Sequence, residues 1–294
     1  MHTPLPLKKG VSPSYIWLPE GQWDCLIEFL LFQFPDISQT EWLARIARHE
    51  VVDGDGHILQ ADSEVKRGMQ LFYYREIADE TPIPFKETIL FQDPHLVVVD
   101  KPHFLPVTPG GRFLRETLLV RLKTQLNNDQ LTPIHRLDRE TAGVMLFSCN
   151  ARSRGQYQSL FQNRQIEKTY HAIAPHLPTQ HFPLLKQSRM IAGEHFLAMK
   201  EVEGIANSET WIQILERRGD VNLYELKPKT GKKHQLRLHL ASLGAPIVND
   251  AFYPTVLPCK GDDFSHPLQL LAKSVSFIDP LSGEKRYFSS VQSL

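Results

Sequence analysis

The chain has 294 residues, 41% of them apolar, with 33 acidic and 33 basic side chains. That length suits a large buried core and more than one average domain. Zero formal charge excludes a uniformly basic binder of polyanions, but it leaves room for two unlike halves.

Residues 1–23 are rich in Pro and Gly and read as an N-terminal arm carrying Tyr15, Trp17 and Trp23. Leu26, Ile27, Phe29 and Leu30 share a helical face, and Trp42, Leu43, Ile46 and Ala47 follow Ser38 or Thr40 as an N-cap. Val51-Val52, the turn Asp53-Gly54-Asp55-Gly56 and Ile58-Leu59 predict a hairpin, and Met69 to Tyr74 another strand. Residues 24–76 thus form a small α/β module, and residues 77–87, with Pro82 and Pro84, a linker. Residues 88–294 follow as one larger domain. Leu96 to Val99 predict a buried strand, Thr117 to Leu126 a helix, and Val144 to Phe147 a strand. Further strands are expected at Lys168 to Ala174, Glu209 to Leu215, Val221 to Leu226, Ile247-Val248, Leu268 to Phe277 and Arg286 to Phe288. Tyr157, Leu160 and Phe161 mark one helix face, and Gln235 to Leu243 another helix, stopped by Gly244. Short strands broken by single helices predict an α+β fold on a mixed sheet, not regular βαβ winding.

The charge divides along the chain. Residues 1–87 hold 14 acidic and 8 basic side chains, and residues 88–294 hold 19 and 25. Two runs lack acids altogether: 141–166, with Arg152, Arg154 and Arg164, and 226–249, with Lys227, Lys229, Lys232, Lys233 and Arg237. Such runs can touch phosphates without reading bases, although a basic run is more often a solvated face.

Cys25, Cys149 and Cys259 stand too far apart for redox or metal spacing, so a disulfide framework is not expected and a reducing, cytoplasmic compartment is. No leader-like opening and no run of eighteen apolar residues occurs, so neither a signal peptide nor a membrane span is expected. The densest chemistry is His135-Arg136-Leu137-Asp138-Arg139-Glu140-Thr141-Ala142-Gly143. An arginine beside a carboxylate there would keep it ionised. Spacing alone leaves a salt-bridged surface turn as the commoner reading. No His-Glu-x-x-His, cysteine pair or nucleotide-binding glycine loop is present, so no metal or cofactor is expected.

His135 to Gly143 resembles the signature of the RluA-type RNA pseudouridine synthases: His-Arg-Leu-Asp, two variable residues, then Thr-Ser-Gly before a strand. Ala142 stands where Ser is usual. Lys168-Thr169-Tyr170 resembles the family's Lys-Thr-Tyr strand. Thr230 to Arg237 resembles its Thr-Gly-Arg-x-His-Gln-Ile-Arg segment, and the likeness runs on to Asn249-Asp250. Val99-Asp100-Lys101-Pro102 is similar to its Lys-Pro turn. Residues 24–76 resemble, more loosely, the small S4 RNA-binding domain; their acidic balance argues against strong RNA binding by themselves.

The resemblance implies isomerisation of uridine to pseudouridine in structured ribosomal or transfer RNA, with no cofactor; a monomer with no obligate protein partner is the default expectation beside it. It makes Asp138 the catalytic carboxylate, Arg237 its partner and Tyr170 the active-site tyrosine. It puts Arg136 in the place of a flipped base, Arg139 near phosphate and Leu236 on the pocket wall. Lys229, Lys232, Lys233, Arg152, Arg154 and Arg164 become RNA contacts. His135, Thr141, Gly143 and Gly231 become structural. Two rivals remain: an RNA-binding or ribosome-assembly factor that keeps the fold without the chemistry, and a metal-assisted hydrolase, disfavoured by ligand spacing.

Overall fold

A computed structural model describes residues 3–21, 23–77, 79–195, 198–257 and 263–294. Cys259 lies outside the described residues. By Cα proximity the chain forms two units. The first is Met1–Glu80 with Pro109–Arg115, and the second is Thr81–Thr108 with Glu116–Leu294.

The first unit holds β1 (Ser14–Trp17), α1 (Leu26–Gln33), α2 (Gln39–Ala47), β2 (Val51–Asp53) and β3 (Gln70–Tyr73). Its antiparallel sheet runs β1-β3-β2. Residues 14–17, expected within an arm, therefore form an edge strand. Ser38 caps α2 by accepting the Glu41 N–H at 3.2 Å. Leu26, Phe29, Leu30, Trp42, Ile46, Val51 and Leu71 form the core. The hairpin turn closes on Asp53, whose Oδ1 accepts the N–H groups of Asp55 and His57 at 2.9 and 2.8 Å. Residues 109–115 join this unit because the Glu80 carboxylate accepts the Leu114 and Arg115 N–H groups at 2.5 and 2.9 Å.

The second unit holds β4 (Thr88–Gln92), β5 (Leu96–Lys101), α3 (Leu118–Leu126), β6 (Thr132–Pro133), β7 (Ala142–Ser148), α4 (Ala151–Gln162) and β8 (Glu167–Pro175). It continues with β9 (Leu184–Ala192), β10 (Met199–Val202), β11 (Ser208–Arg218), β12 (Val221–Pro228), α5 (Gln235–Ser242), β13 (Leu270–Ile278) and β14 (Lys285–Ser289). The main path of its 11-stranded sheet is β10-β9-β11-β12-β8-β13-β7-β5-β4, with β14 on β13 and β6 on β7. Only the β13–β7 pairing is parallel among these described strands. The fold is α+β on a mixed sheet, as the patterning predicts, and most of its pairings are antiparallel. Two cores flank it. α5 packs Leu236 and Leu240 against Ala172, Ile212, Tyr224 and Leu226. α4 packs Tyr157 and Leu160 against Val98, Val144, Leu146 and Val275.

Two expectations need correction. Ile247-Val248 is not a strand, although the Val248 N–H still donates to the Ile173 carbonyl at 2.9 Å. The pair after Pro246 makes single bonds, not a ladder. Strands β9 and β10, which the patterning misses, extend one end of the sheet. β9 exposes alternate residues as far as Arg189 and buries Met190 alone, so its apolar signal is thin.

Register positions the site. Across β13, Ala272 pairs with Gly143 on one side and Tyr170 on the other. Neighbouring strands lie about 4.8 Å apart. The strand following Asp138 and the strand carrying Tyr170 are thus two spacings from each other. Gly143 has a φ of 111°, and a Cβ there would stand 2.2 Å from the Ala272 carbonyl oxygen. Only glycine allows β7 and β13 to run this close.

Candidate active site

A cleft of about 820 Å³ is lined by residues of the 135–141 loop, the end of α4, β8, the 228–234 turn and α5. It gathers Asp138, Tyr170 and Arg237, the three residues expected to carry chemistry, together with Arg136, Arg164, Leu236 and the Lys229, Lys232 and Lys233 turn.

The Asp138 loop is tied down from beneath. The Thr141 N–H donates to the Asp138 carbonyl at 3.2 Å, closing the turn before β7. Lys101, fully buried at the end of β5, donates from Nζ to the carbonyls of Pro102, Leu105 and Arg139 at 3.0, 2.9 and 3.0 Å. Burial pushes its pKa down to about 7, although Asp138 works the other way. His135 lines the cleft. Its Nε2 accepts the Leu146 N–H at 3.2 Å and its ring stacks on Phe161 at 4.5 Å. Burial, and then Lys168, pushes its pKa down to about 3.

α5 brings up the arginine. Gln235 clasps the preceding turn: its Oε1 accepts from Thr230 Oγ1 at 2.7 Å and from the Lys232 N–H at 3.1 Å. Its Nε2 donates to the Glu209 carbonyl and to Thr210 Oγ1, both at 2.9 Å. Two residues on, Arg237 is 1% exposed. Its Nη1 donates to Asp138 Oδ2 at 3.1 Å. Its Nε and Nη2 make a fork on Asp250, at 2.8 and 2.6 Å. Burial opposes its charge, but Asp250 and then Asp138 hold its pKa above the ordinary value. Asp250 is itself secured by the Phe252 and Tyr253 N–H groups at 2.8 and 3.2 Å. Sequence reasoning gives Asp250 no role. The usable signal was that a buried guanidinium presents more donors than one carboxylate satisfies.

Burial and then the Asp138 charge raise the Tyr170 pKa, so the phenol keeps its proton near neutral pH. Lys168 donates to the Thr230 carbonyl at 3.2 Å, and burial and then Arg164 lower its pKa to about 8. Thr141 is buried at the turn. Gly231 faces open space, so an added Cβ there meets nothing.

The basic residues divide. Arg136, Arg164, Lys232 and Lys233 are exposed and line the cleft. Lys229 also lines it, but Glu209 stands 3.4 Å away, and Lys227 meets Glu225 at 2.7 Å. Arg139 is not among the lining residues and donates from Nε to the Phe104 carbonyl at 3.1 Å. Arg152 and Arg154 sit in the first turn of α4, and Arg154 donates to the Gln130 carbonyl at 2.7 Å. A helix of 12 residues is about 18 Å long, so they stand far from Arg164 beyond its other end. The acid-free run 141–166 is therefore not one patch.

One group with metal-ligand character occurs among the described residues, Asp53, Asp55 and His57 in the exposed hairpin turn of the first unit. It lies outside the cleft. No described helix is long and apolar enough to cross a membrane.

Comparison with known proteins agrees with this geometry. Residues 95–242, half of the chain, match the family model described as RNA pseudouridylate synthase. The chain is 31% identical over 219 residues to tRNA pseudouridine synthase C of Vibrio parahaemolyticus, covering 69% of this chain and 89% of that one. It is 32% identical over 212 residues to the dual-specificity RNA pseudouridine synthase RluA of Vibrio vulnificus, covering 66% and 78%. A human relative of 33% identity is matched over only 31% of its own length. The solved structure of human RNA pseudouridylate synthase domain containing 4 superposes with a TM-score of 0.53 at 30% identity, covering 68% of this chain and 87% of that one. The ordered motifs, the cleft they build and these matches agree: the chain belongs to the RNA pseudouridylate synthase family.

Proposed function

We propose that this chain isomerises uridine in structured ribosomal or transfer RNA to pseudouridine. The observation that carries the reading is the Asp138 carboxylate held on Oδ2 by Nη1 of the buried Arg237, with Tyr170 in the same cleft. The N1–C1′ bond breaks, the uracil turns, C5 bonds to C1′, and the C5 proton leaves as N1 gains one. Atoms and oxidation level balance, so the reaction itself consumes no nucleotide or redox cofactor.

In this reading Asp138 meets C1′ through its carboxylate, which Arg237 holds in place. Tyr170, protonated, stacks on the uracil face. A paired base must leave its stack to enter the cleft, and exposed Arg136 takes its place. Arg164, Lys232 and Lys233 meet phosphates at the mouth, with shape and unpaired loops setting the choice of RNA. The first unit serves as an S4-like accessory, and the chain works as a cytoplasmic monomer.

The test is incubation with unmodified ribosomal and transfer RNA, followed by pseudouridine-specific mapping. New pseudouridine at discrete positions is the expected result. RNA that binds tightly yet gains none at any position would refute the isomerase reading and leave the RNA-binding factor.

A further inference from the structure

His234 occupies a place that the reaction as described does not use. It precedes α5 in a left-handed conformation, φ 54° and ψ 19°, and its side chain is 6% exposed. Its ring stacks on Phe252, with centroids 5.4 Å apart, and meets Tyr253 edge-on. The two ring nitrogens face opposite partners. Nδ1 is 3.1 Å from the Tyr253 hydroxyl, and Nε2 is 3.7 Å from Asp138 Oδ2.

The proton positions follow from counting donors. The backbone N–H of Met199, opening β10, can only donate, and it does so to the Tyr253 hydroxyl oxygen at 2.8 Å. With that acceptor site taken, we read the Tyr253 proton as going to His234 Nδ1, the bare, accepting nitrogen in this arrangement. A neutral ring with bare Nδ1 carries its hydrogen on Nε2, toward Asp138. The ring is neutral at pH 7: burial, opposed by Asp138 and Asp250 and helped by Arg237 and Lys233, brings its pKa down to about 4.

The donors at Asp138 share one oxygen. Arg237 donates to Oδ2, and His234 faces that same atom, while no protein donor reaches Oδ1 among the described residues. We infer that His234 is a positioning residue: as the Nε2–H tautomer selected by Tyr253, it fixes Oδ2 of Asp138 and turns Oδ1 toward the substrate sugar. The 3.7 Å separation closes to hydrogen-bond length when RNA seats, as donor contacts in empty sites commonly do. Tyr253 acts one step further out, by selecting the tautomer. The inference rests on the isomerase reading for its consequence, but not for its geometry.

The experiment joins a spectrum to kinetics on the full chain. Imidazole nitrogen NMR of protein labelled at histidine, with the His234 signal assigned by its loss in His234→Gln, should show a bare Nδ1 and a protonated Nε2 at pH 7. Tyr253→Phe should mix the tautomers. In single turnover on an RNA substrate, His234→Ala should lose roughly tenfold to a hundredfold in rate, the scale of one charge-assisted hydrogen bond. RNA affinity should hold, and whatever stability the lost ring contact costs should not account for the rate, because it is the replaced N–H that restores it. His234→Gln, whose amide N–H reaches toward the place of Nε2–H, should restore most of the rate.

An Nδ1–H tautomer in the parent overturns the inference. So does an unchanged rate in His234→Ala, or a loss that tracks RNA affinity or melting temperature and that Gln does not restore. A parent protein that forms no pseudouridine defeats the isomerase reading instead, and the spectrum still decides the tautomer.

Discussion

In the N-terminal unit, Lys8, Arg45, Arg48, Lys66 and Arg67 each stand 2.6–3.2 Å from a glutamate. Around Asp138, Arg136, Arg164 and Lys232 have no carboxylate at ion-pair distance among the described residues. The same residue types therefore do different work. Paired cations on a surface add little stability, and they have already exchanged water for a fixed counter-charge. Unpaired cations ringing a cleft remain available to phosphates. Where the neutralising partners lie matters more than how many charges a segment holds.

Arg237 is the exception within the cleft, a buried cation with two carboxylates. Asp250→Ala leaves that guanidinium half-paired in the interior and should destabilise the protein by about 3–5 kcal/mol, with turnover lost as Asp138 loosens. Urea denaturation measures the first effect and single turnover the second; parent values for both would break the account of Arg237. Gly143→Ala should cost about 3 kcal/mol or more, because the new Cβ meets the Ala272 carbonyl. A melting temperature within a degree or so of the parent would mean that β7 and β13 can separate freely.

The electrostatic contrast is tested by salt. Replacing Arg164 and Lys232 together with Ala should lower RNA affinity and reduce the slope of log affinity against log salt by about 1–2. The matching pair Lys66 and Arg67 in the first unit should leave the slope unchanged. Equal slopes from both pairs would erase the distinction between the two regions.

Stability should depend on pH through buried groups of the second unit. Burial lowers the folded-state pKa of His135 to about 3 and of His239 to about 4, below the ordinary 6.5. The unfolded chain thus binds more protons between pH 3 and 6.5, and stability is lost as pH falls through that window. Lys101 sits at about 7 against an ordinary 10.5, so its contribution rises with pH from 7 to 10.5. Denaturation midpoints at pH 4, 7 and 9 should rise in that order, and Lys101→Met should flatten the upper step. The smallest effect belongs to Gly231→Ala, which meets nothing and should change stability by less than about 0.5 kcal/mol.

The catalytic half of the fold was legible because its signals are local. The Thr230-to-Arg237 run contains both the turn and the glutamine that clasps it, and the Gly143 turn leads directly into an apolar strand. Contacts between distant segments were not legible. Asp250 reaches Arg237 only after the chain has left α5 and turned back. The run 226–249 looked free of acids because Glu225 stands one residue outside it and Glu209 lies near its start in space, at Lys229. Likewise, β1 was hidden in a Pro-rich stretch, and its strand character comes from pairing with β3.

The central claim is that Asp138, held by Arg237, drives isomerisation. It is tested most directly by release of tritium from C5 of uridine-labelled RNA, comparing the parent with Asp138→Asn at matched RNA binding. The account predicts rapid release by the parent and a loss of roughly 10⁴-fold or more in the variant. Release by Asp138→Asn at the parent's rate would contradict it.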